Sequence, residues 1–437
     1  MSVESHIESN IESWGRYPKH NHKLETLNWS SDLPEFSGDS YLPYGLGRSY
    51  GDSCLNNDGT LILTEKLNSL LSFDPESGIL EAEAGVSLAD IITFALPQGY
   101  FLPVSPGTKF VTLGGAIAND IHGKNHHIGG TFGCFVKEFS LLRSDGELLL
   151  CSPQQNSQMF AATIGGLGLT GLILSAKIQL KKVAGPLIDQ ETIKFKGLEE
   201  FFTVSAASKD YEYTVAWLDC VSSGDNFGRG HFIRGNHSQK EEKECFRKKM
   251  KLAVPFDLPS FTLNRYTVQA FNTLYYNKQR PKIKKSAINF EPFFYPLDMI
   301  HAWNRIYGKN GLLQFQCVLP EGDGNKAIKE ILQMVVKSGK ASFLAVFKEF
   351  GDIPSPGMLS FPRPGATLCL DFVNSQKTRD LLKSLDEIVL KSGGASYPAK
   401  DAVMPATSFQ AYYPAWRDFL EFKDPKFNSS FWDRVSR

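Results

Sequence analysis

An α+β protein of two domains is predicted by three features of the sequence. The chain has 437 residues, more than one hydrophobic core ordinarily serves. From about residue 40 to 180, short apolar runs alternate with glycine-rich turns. Past Leu180 glycine thins out, aromatics and lysines rise, and strand-like runs are joined by an amphipathic helical pattern. No internal repeat or low-complexity segment interrupts this order.

The elements follow from local signals. "GTLILTEKLNSLLSFDPESGILEAEAGVSLADIITFALPQGYFLPV" reads as strand, turn, strand, then a short helix from Ser87. Ser87 suits an N-cap with Asp90 in the capping-box position, and Pro97 with Gly99 ends the helix. "FSLLRSDGELLLCS" reads as a hairpin turning at Asp145-Gly146. "FFTVSAASKDYEYTVAWLDCVSS" and "GLLQFQCVLP" read as sheet strands, and "GNKAIKEILQMVVKSG" as a helix closed by Gly339. "SQKEEKECFRKKMKLAVPFDLPSF" mixes charges with an apolar, proline-bearing tail, and stands open between a solvated loop and a lid or lipid-facing surface.

Composition bounds the function. Lys+Arg and Asp+Glu both number 47, so no overall field draws nucleic acid or an anionic membrane. The start "MSVESHIESNIESWGR" has no apolar signal core, and no run reaches the ~18 apolar residues of a membrane span. A cytoplasmic location, or one peripheral to the cytoplasmic membrane, is expected. The seven cysteines are scattered without a C-x-x-C pair, as free thiols in a reducing compartment would be.

The glycine clusters carry the first chemical signal. In "PYGLGRSYGD", Gly45, Gly47 and Gly51 allow a tight turn whose N–H groups converge on an anion, or a merely structural turn. Gly114-Gly115 in "SPGTKFVTLGGAIAND" offers a second close approach. "IGGLGLTG" contains a formal G-x-G-x-x-G at Gly166, Gly168 and Gly171, but an alternating, strand-like run follows it rather than a helix. It is therefore read as a close backbone approach within a sheet, not a dinucleotide site. "DIHGKNHH" places His122 and His126 at helical spacing for a metal, yet flanking glycines and the lack of a second ligand cluster argue against one. Satisfied structural histidines and pocket-lining groups remain the two readings.

Together, "SWGRYP", "GLGRSYGD", "PGTKFVTLGGAIANDIHGKNHH", "GGLGLTG", "TLCLDF" and "YPAKD" resemble the decaprenylphosphoryl-β-D-ribose 2-oxidase family of vanillyl-alcohol-oxidase-like, FAD-linked oxidoreductases. The motifs keep the family order over almost the whole chain. The resemblance implies a PCMH-type FAD-binding domain from residues 1–184 and 395–437, covered by an α+β substrate domain of 185–394, with FAD held non-covalently. On the same basis the adenine-side phosphates lie on Gly45, Leu46, Gly47, Arg48, Ser49, Tyr50 and Gly51. Pro106, Gly107, Thr108, Thr112, Gly114, Gly115, Ala116, Asn119 and Ile173 wrap the rest, with His122, Gly123, Asn125 and Lys400 toward the flavin ring. His122 and Lys124 correspond to the family's active-site histidine and lysine, Cys369 to its flavin-facing cysteine, and Lys400 to the lysine reaching flavin and substrate. Tyr295, Gln316, Lys348, Phe350, Tyr397 and Trp217 match residues of the substrate pocket. Two departures stand out: Tyr44 and Ala366 occupy positions where arginine and tryptophan are expected, and Ala366 bears on the shape of the pocket.

The implied reaction oxidises the 2-hydroxyl of a polyprenylphosphoryl-β-D-ribofuranose to the 2-keto sugar, the first half of an epimerisation to the arabinose form for cell-envelope arabinan. An NAD(P)-dependent partner reductase would complete the inversion, and a lipid substrate predicts peripheral membrane contact near 239–263 and "KQRPKIKK". Oxidation of a soluble sugar, polyol or aldonolactone on the same scaffold is the alternative, and a flavin-bound scaffold without catalysis a more distant one. His122 is the natural titrating base, with Tyr397 or a neutral lysine as rivals, so the base stays open. A cation such as Lys400 suits a reduced flavin, and Cys369 packs rather than attacks because hydride transfer needs no covalent intermediate.

Overall fold

The computed structural model describes residues 6–7, 11–240, 242 and 252–437. Near the N-terminus, Lys23–Thr26 and Tyr41–Tyr44 each pair in parallel with Thr60–Leu63. Beside this lies an antiparallel sheet in the order Leu70–Asp74, Ile79–Glu83, Leu172–Gln179, Val136–Leu142, Leu148–Cys151. The run after "GGLGLTG" is thus a central strand, and a Cβ on Gly171 (φ +143°) would meet Leu142 O at 2.6 Å. The close approach read from the sequence is the reason for that glycine. The hairpin turns as expected, with Gly146 at φ +88°.

The helix Leu88–Ala95 starts where its cap predicts: Ser87 Oγ accepts from Asp90 N at 3.1 Å. The Asp90 carboxylate accepts from the Ser87 hydroxyl, so the cap forms without the full box. The helix passes through a 3-10 turn, Leu96–Gln98, and Gly99 takes up the left-handed conformation after it.

The second half is built on an eight-stranded sheet of antiparallel neighbours. Its order is Ile283–Asn289, Leu187–Phe195, Gly230–His237, Tyr213–Leu218, Ala345–Phe350, Gly365–Val373, Leu312–Leu319, Ala395–Ser396. Leu312–Leu319 is buried at every position because both faces are covered. Leu313, Phe315, Cys317 and Leu319 share a core with Ile328 and Leu332 of the helix Asp323–Ser338 and with Leu385 and Val389 of Gln376–Lys391. The alternate residues, Gln314 and Gln316, face a cavity on the other side. The neighbouring strand repeats the pattern, with Ala366, Leu368, Leu370 and Phe372 toward the helices and Cys369 toward the cavity.

One segment departs from the sequence reading. "FFTVSA", expected as strand, lies in the helix Leu198–Ala206. Aromatic and β-branched residues favour strand here, but a four-residue period prevails. Phe201 and Ser205 are the buried positions, and the Phe201 ring packs on Phe347 at 4.2 Å. Glu199 and Glu200 in the first turn also suit a helix start.

The charged stretch read as loop or lid falls largely on residues 241 and 243–251, outside the described residues. Beyond it, Leu252–Ala253 pairs with Ile300–His301, and Asn264 caps the helix Arg265–Lys278 with a complete capping box. The C-terminal helices Ala406–Tyr412 and Ser430–Val435 return to the N-terminal strands, Ser430 N donating to Leu55 O at 2.8 Å. Among the described residues, no helix is long and apolar enough to cross a membrane, and Cys54, Cys134, Cys151, Cys220, Cys317 and Cys369 are all free.

Candidate functional site

A cavity of about 770 Å³ lies between the cavity face of the large sheet and the glycine-rich loops of the first half. That volume is in the usual range for cofactor and ligand pockets. One wall begins where the strand Tyr41–Tyr44 runs into the loop 45–51. Gly47 takes φ +59°, and Cβ atoms on Gly45 and Gly51 would collide with Thr112 Oγ1 at 2.5 Å and Asp401 O at 1.6 Å. Arg48 ties the loop down: its Nε donates to Phe110 O at 3.0 Å, and its guanidinium lies 4.1 Å from the Trp14 ring centroid. Tyr44, standing where arginine was expected, donates to Glu12 O at 2.9 Å.

The second wall comes from residues 105–119. Thr112 caps the short helix Leu113–Ala118 by accepting from Gly115 N at 3.1 Å. A Cβ built on Gly107 meets nothing within 4 Å, so this backbone stands open to the cavity. Leu167, Gly168, Gly171 and Ile173 add a third stretch. Small residues and bare backbone on three segments fit an extended cofactor such as FAD, which needs close main-chain approach along its pyrophosphate.

The far end of the cavity is cationic. Its histidine is held by a loop organised around Asp120, fully buried, which accepts from Gly133 N at 2.8 Å and from the Ser355 and Ser360 hydroxyls. His122 Nδ1 lies 3.0 Å from Lys348 Nζ, and His122 Nε2 lies 3.0 Å from Gln316 Nε2. Lys348 Nζ also donates to Gly123 O at 2.6 Å. Burial, reinforced by Lys348, His126 and Lys400, pushes the His122 imidazole well below its ordinary range. Burial pushes Lys124 down to about 8 and, together with the Lys124 charge, Lys348 down to about 7. Lys400 Nζ sits 4.0 Å from the Tyr50 ring centroid; burial lowers its pKa, while Cys369 and Asp371 oppose the shift.

Cys369 lines this end as a thiol: burial raises its pKa, and Asp371 adds to the effect. Trp217 also lines the cavity, its Nε1 donating to Phe343 O at 3.1 Å. Tyr397 donates its hydroxyl to Asn119 O at 2.8 Å, and burial keeps that phenol far from ionising. It is spent as a donor and badly placed to take a proton.

Most residues singled out in the sequence meet at this cavity, but five stand behind its wall. Gly51 is pressed against Asp401, and Ala116 is fully buried beneath the wall. Asn125 Nδ2 donates to Pro103 O at 2.7 Å, and Tyr295 bonds the Ser105 hydroxyl. Phe350 packs its ring on His122 at 4.8 Å and on His126 at 4.5 Å. His126 opens a one-turn helix, His126–Gly129, whereas His122 lies in a β-bridge with Thr131, so the helical spacing considered for a metal does not form. Ala366 points into the helix-side core, on the opposite face from Cys369, and does not line the pocket.

Two features escaped the sequence reading. Gln314 and Asp371 face each other across paired strands, hydrogen-bonded, next to Lys400, with burial raising the Asp371 carboxyl to about 7. Polar residues at alternate positions of the apolar runs "LLQFQCVL" and "TLCLDF" were the available signal. Arg434 is the other. It grips Asp52 (Nη2 to Oδ1 2.6 Å, Nε to Oδ2 3.0 Å) and Asp401 (3.0 Å), joining the first glycine loop to the turn that carries Lys400. Nothing local in the sequence marks that arginine.

Residues 34–152 match the family described as FAD binding domain. The chain is 36% identical over 400 residues to decaprenylphosphoryl-beta-D-ribose oxidase of Mycolicibacterium smegmatis, covering 89% of this chain and 86% of that protein. It is 28% identical to an uncharacterized protein of the mprA 5′ region of Streptomyces coelicolor, over 77% of this chain and 95% of the other. A shorter match, 32% identity over 28% of both chains, is to L-gulonolactone oxidase of Mus musculus.

Proposed function

Because this chain belongs to the decaprenylphosphoryl-β-D-ribose oxidase family and is an FAD-dependent oxidoreductase, we propose that it oxidises the 2-hydroxyl of a polyprenylphosphoryl-β-D-ribofuranose to the 2-keto sugar. The supporting observation is that His122, Lys124, Gln316, Lys348, Cys369 and Lys400 converge on the cavity that the glycine-rich walls of the FAD domain also line. In this reading residues 1–184 and 395–437 hold the cofactor, and 185–394 present the substrate.

Bound FAD supplies the two-electron acceptor for the hydride that leaves the sugar carbon. The protein's tasks are to place that carbon, remove the hydroxyl proton and offset the charge. Lys400, held over Tyr50 beside Cys369, would offset the negative charge that FAD gains on reduction. Cys369 offers a neutral, apolar surface, since its thiol stays protonated. His122 is the group whose lone pair can meet the hydroxyl, because burial keeps its imidazole neutral. Lys124 adds a further positive charge for an anionic substrate.

Exposed apolar residues close to the cavity suit the polyprenyl tail and a peripheral bilayer contact. Phe256, Phe261, Tyr266 and Leu274 are 63–80% exposed, and Phe271 and Tyr275 of the helix Arg265–Lys278, which also carries Tyr266 and Leu274, line the cavity. The 2-keto product calls for a reductase that delivers hydride to the opposite face, and an NAD(P)-dependent partner supplies that chemistry.

The purified holoprotein should be yellow and should bleach anaerobically with polyprenylphosphoryl ribose. Bleaching by free ribose or aldonolactones, with no gain from the lipid phosphate, would replace this reading with oxidation of a soluble sugar. A protein that cannot take up FAD would end both.

A further inference from the structure

The hydrogen bonds around His122 pose a problem of proton count. Both ring nitrogens face nitrogen groups, Lys348 Nζ at Nδ1 and Gln316 Nε2 at Nε2, each at 3.0 Å. A neutral imidazole has one N–H and one lone pair, so it cannot accept from two donors. Two arrangements resolve this. With Lys348 charged, the ammonium donates to Nδ1, the ring proton sits on Nε2, and Gln316 turns its carbonyl toward it. With Lys348 neutral, Nδ1–H donates to the amine, and the Nε2 lone pair faces the donor side, where Gln316 now offers its NH2. Only the second arrangement leaves a lone pair at Nε2, and the substrate hydroxyl takes it by displacing the Gln316 NH2, which keeps Thr367 Oγ1 at 3.3 Å as its acceptor.

We propose that Lys348 is the terminal acceptor of the substrate's hydroxyl proton, and that His122 relays the proton to it. This rests on the reading that the substrate is a secondary alcohol. The sugar O–H breaks as an N–H bond forms at His122 Nε2; the Nδ1–H bond breaks as a new N–H forms at Lys348 Nζ. As the C2–H bond breaks, its hydride would go to bound FAD while the carbonyl forms. One proton and one hydride are accounted for, and His122 ends neutral with its proton on the other nitrogen.

The surroundings favour this order. Toward the pair face Lys124 and His126 from the 120–130 loop, Lys400 from the C-terminal turn, and the Cys369 thiol from the adjacent strand, while the Asp371 carboxyl acts on Lys400. Neutral Gln316 and Tyr397 close the rest of the wall. Among the described residues cations outnumber acids here and Lys348 makes no ion pair, so its neutral form is accessible near neutral pH, at about 7. An imidazolium is much more costly there than an ammonium, because His122 is pushed well below its ordinary range. The proton therefore does not rest on the histidine. Lys348 Nζ is fixed by Gly123 O at 2.6 Å, which holds its remaining valence toward Nδ1.

The test combines ¹⁵N-histidine NMR of the holoprotein with anaerobic stopped-flow reduction by polyprenylphosphoryl ribose, using wild type, Lys348→Met and Lys348→Arg. In wild type, His122 should change from the Nε2–H to the Nδ1–H tautomer as pH rises through about 7, and the limiting reduction rate should rise over the same range. Lys348→Arg, always charged, should stay in the Nε2–H form and reduce at least ~100-fold more slowly, with substrate binding changed much less. Lys348→Met should lose both the tautomer change and the inflection near neutrality. A Lys348→Arg rate within about threefold of wild type, or a His122 tautomer that titrates unchanged in Lys348→Met, overturns the relay. If lipid-linked ribose fails to reduce wild type while the tautomer still switches with Lys348, the substrate reading falls and the proton relay stands.

Discussion

Replacing Arg434 with methionine isolates the clamp between the first glycine loop and the Lys400 turn. The variant leaves Asp52 and Asp401 side by side, their side chains only 5% and 12% exposed, without the guanidinium that neutralises both. Removing one partner of a buried ion pair typically costs ~3–5 kcal/mol. Arg434 is itself 25% exposed, which sets the expectation at the lower end, about 3 kcal/mol. For a chain of this length that corresponds to a fall in Tm of roughly 3–6 °C. The pH dependence gives the sign. Burial raises the Asp401 carboxyl and Arg434 opposes the rise, so the variant raises it further. A carboxyl raised in the folded state contributes stability at pH below its unfolded value and loses it as pH climbs through the folded one. The deficit should therefore be largest at neutral pH and shrink as the pH falls toward about 4. Thermal unfolding of the FAD-loaded and FAD-stripped forms across that range reads both effects. A Tm loss under about 1 °C at neutral pH, or a deficit that does not change on acidification, would refute the clamp's assigned role.

The same site makes three further claims. Gly51→Ala forces a Cβ to 1.6 Å from Asp401 O, so the loop and turn must separate; the variant should purify with little flavin absorbance or fail to fold. Gly107→Ala, with nothing within 4 Å of its new Cβ, should keep the apoprotein's Tm within about 1 °C yet weaken FAD retention, measured by equilibrium titration. Lys124, pushed down to about 8 by burial, loses its charge above that pH, so the Kd for a phosphate-bearing substrate should rise from neutral to alkaline pH. Lys124→Met should flatten that rise, and an unchanged pH profile would remove Lys124 from anion binding.

Alternation and turn chemistry made most of the local structure readable. The strand Leu172–Gln179 and the Asp145-Gly146 hairpin follow from period-two patterning and one glycine each. The helix Leu198–Ala206 was not readable, because the ring that decides it, Phe347, comes from a strand more than a hundred residues later. The site shows the same divide. Its glycines and "DIHGKNHH" announce a pocket, and the resemblance names the residues. Yet that Lys348 and Gln316 grip opposite nitrogens of His122, from 226 and 194 residues away, is a property of sheet register alone. Tyr295 and Phe350, matched to the substrate pocket by the same resemblance, turn their polar atom or ring to neighbours instead. A motif fixes which residue occurs, not which way it faces.

The grip of Arg434 on Asp52 also sets a timetable for synthesis. The two residues are 382 positions apart. At ordinary translation rates of ~5–20 residues per second, the flavin loop emerges roughly 20–80 s before its partner exists. Throughout that interval Leu42 and Leu61 lack the C-terminal members of their core cluster, such as Phe409, Phe419 and Trp432. A chain that stops before Arg434 lacks the grip on Asp52 and Asp401 and is expected to retain FAD less well than the whole chain, measured by flavin titration of the truncated protein.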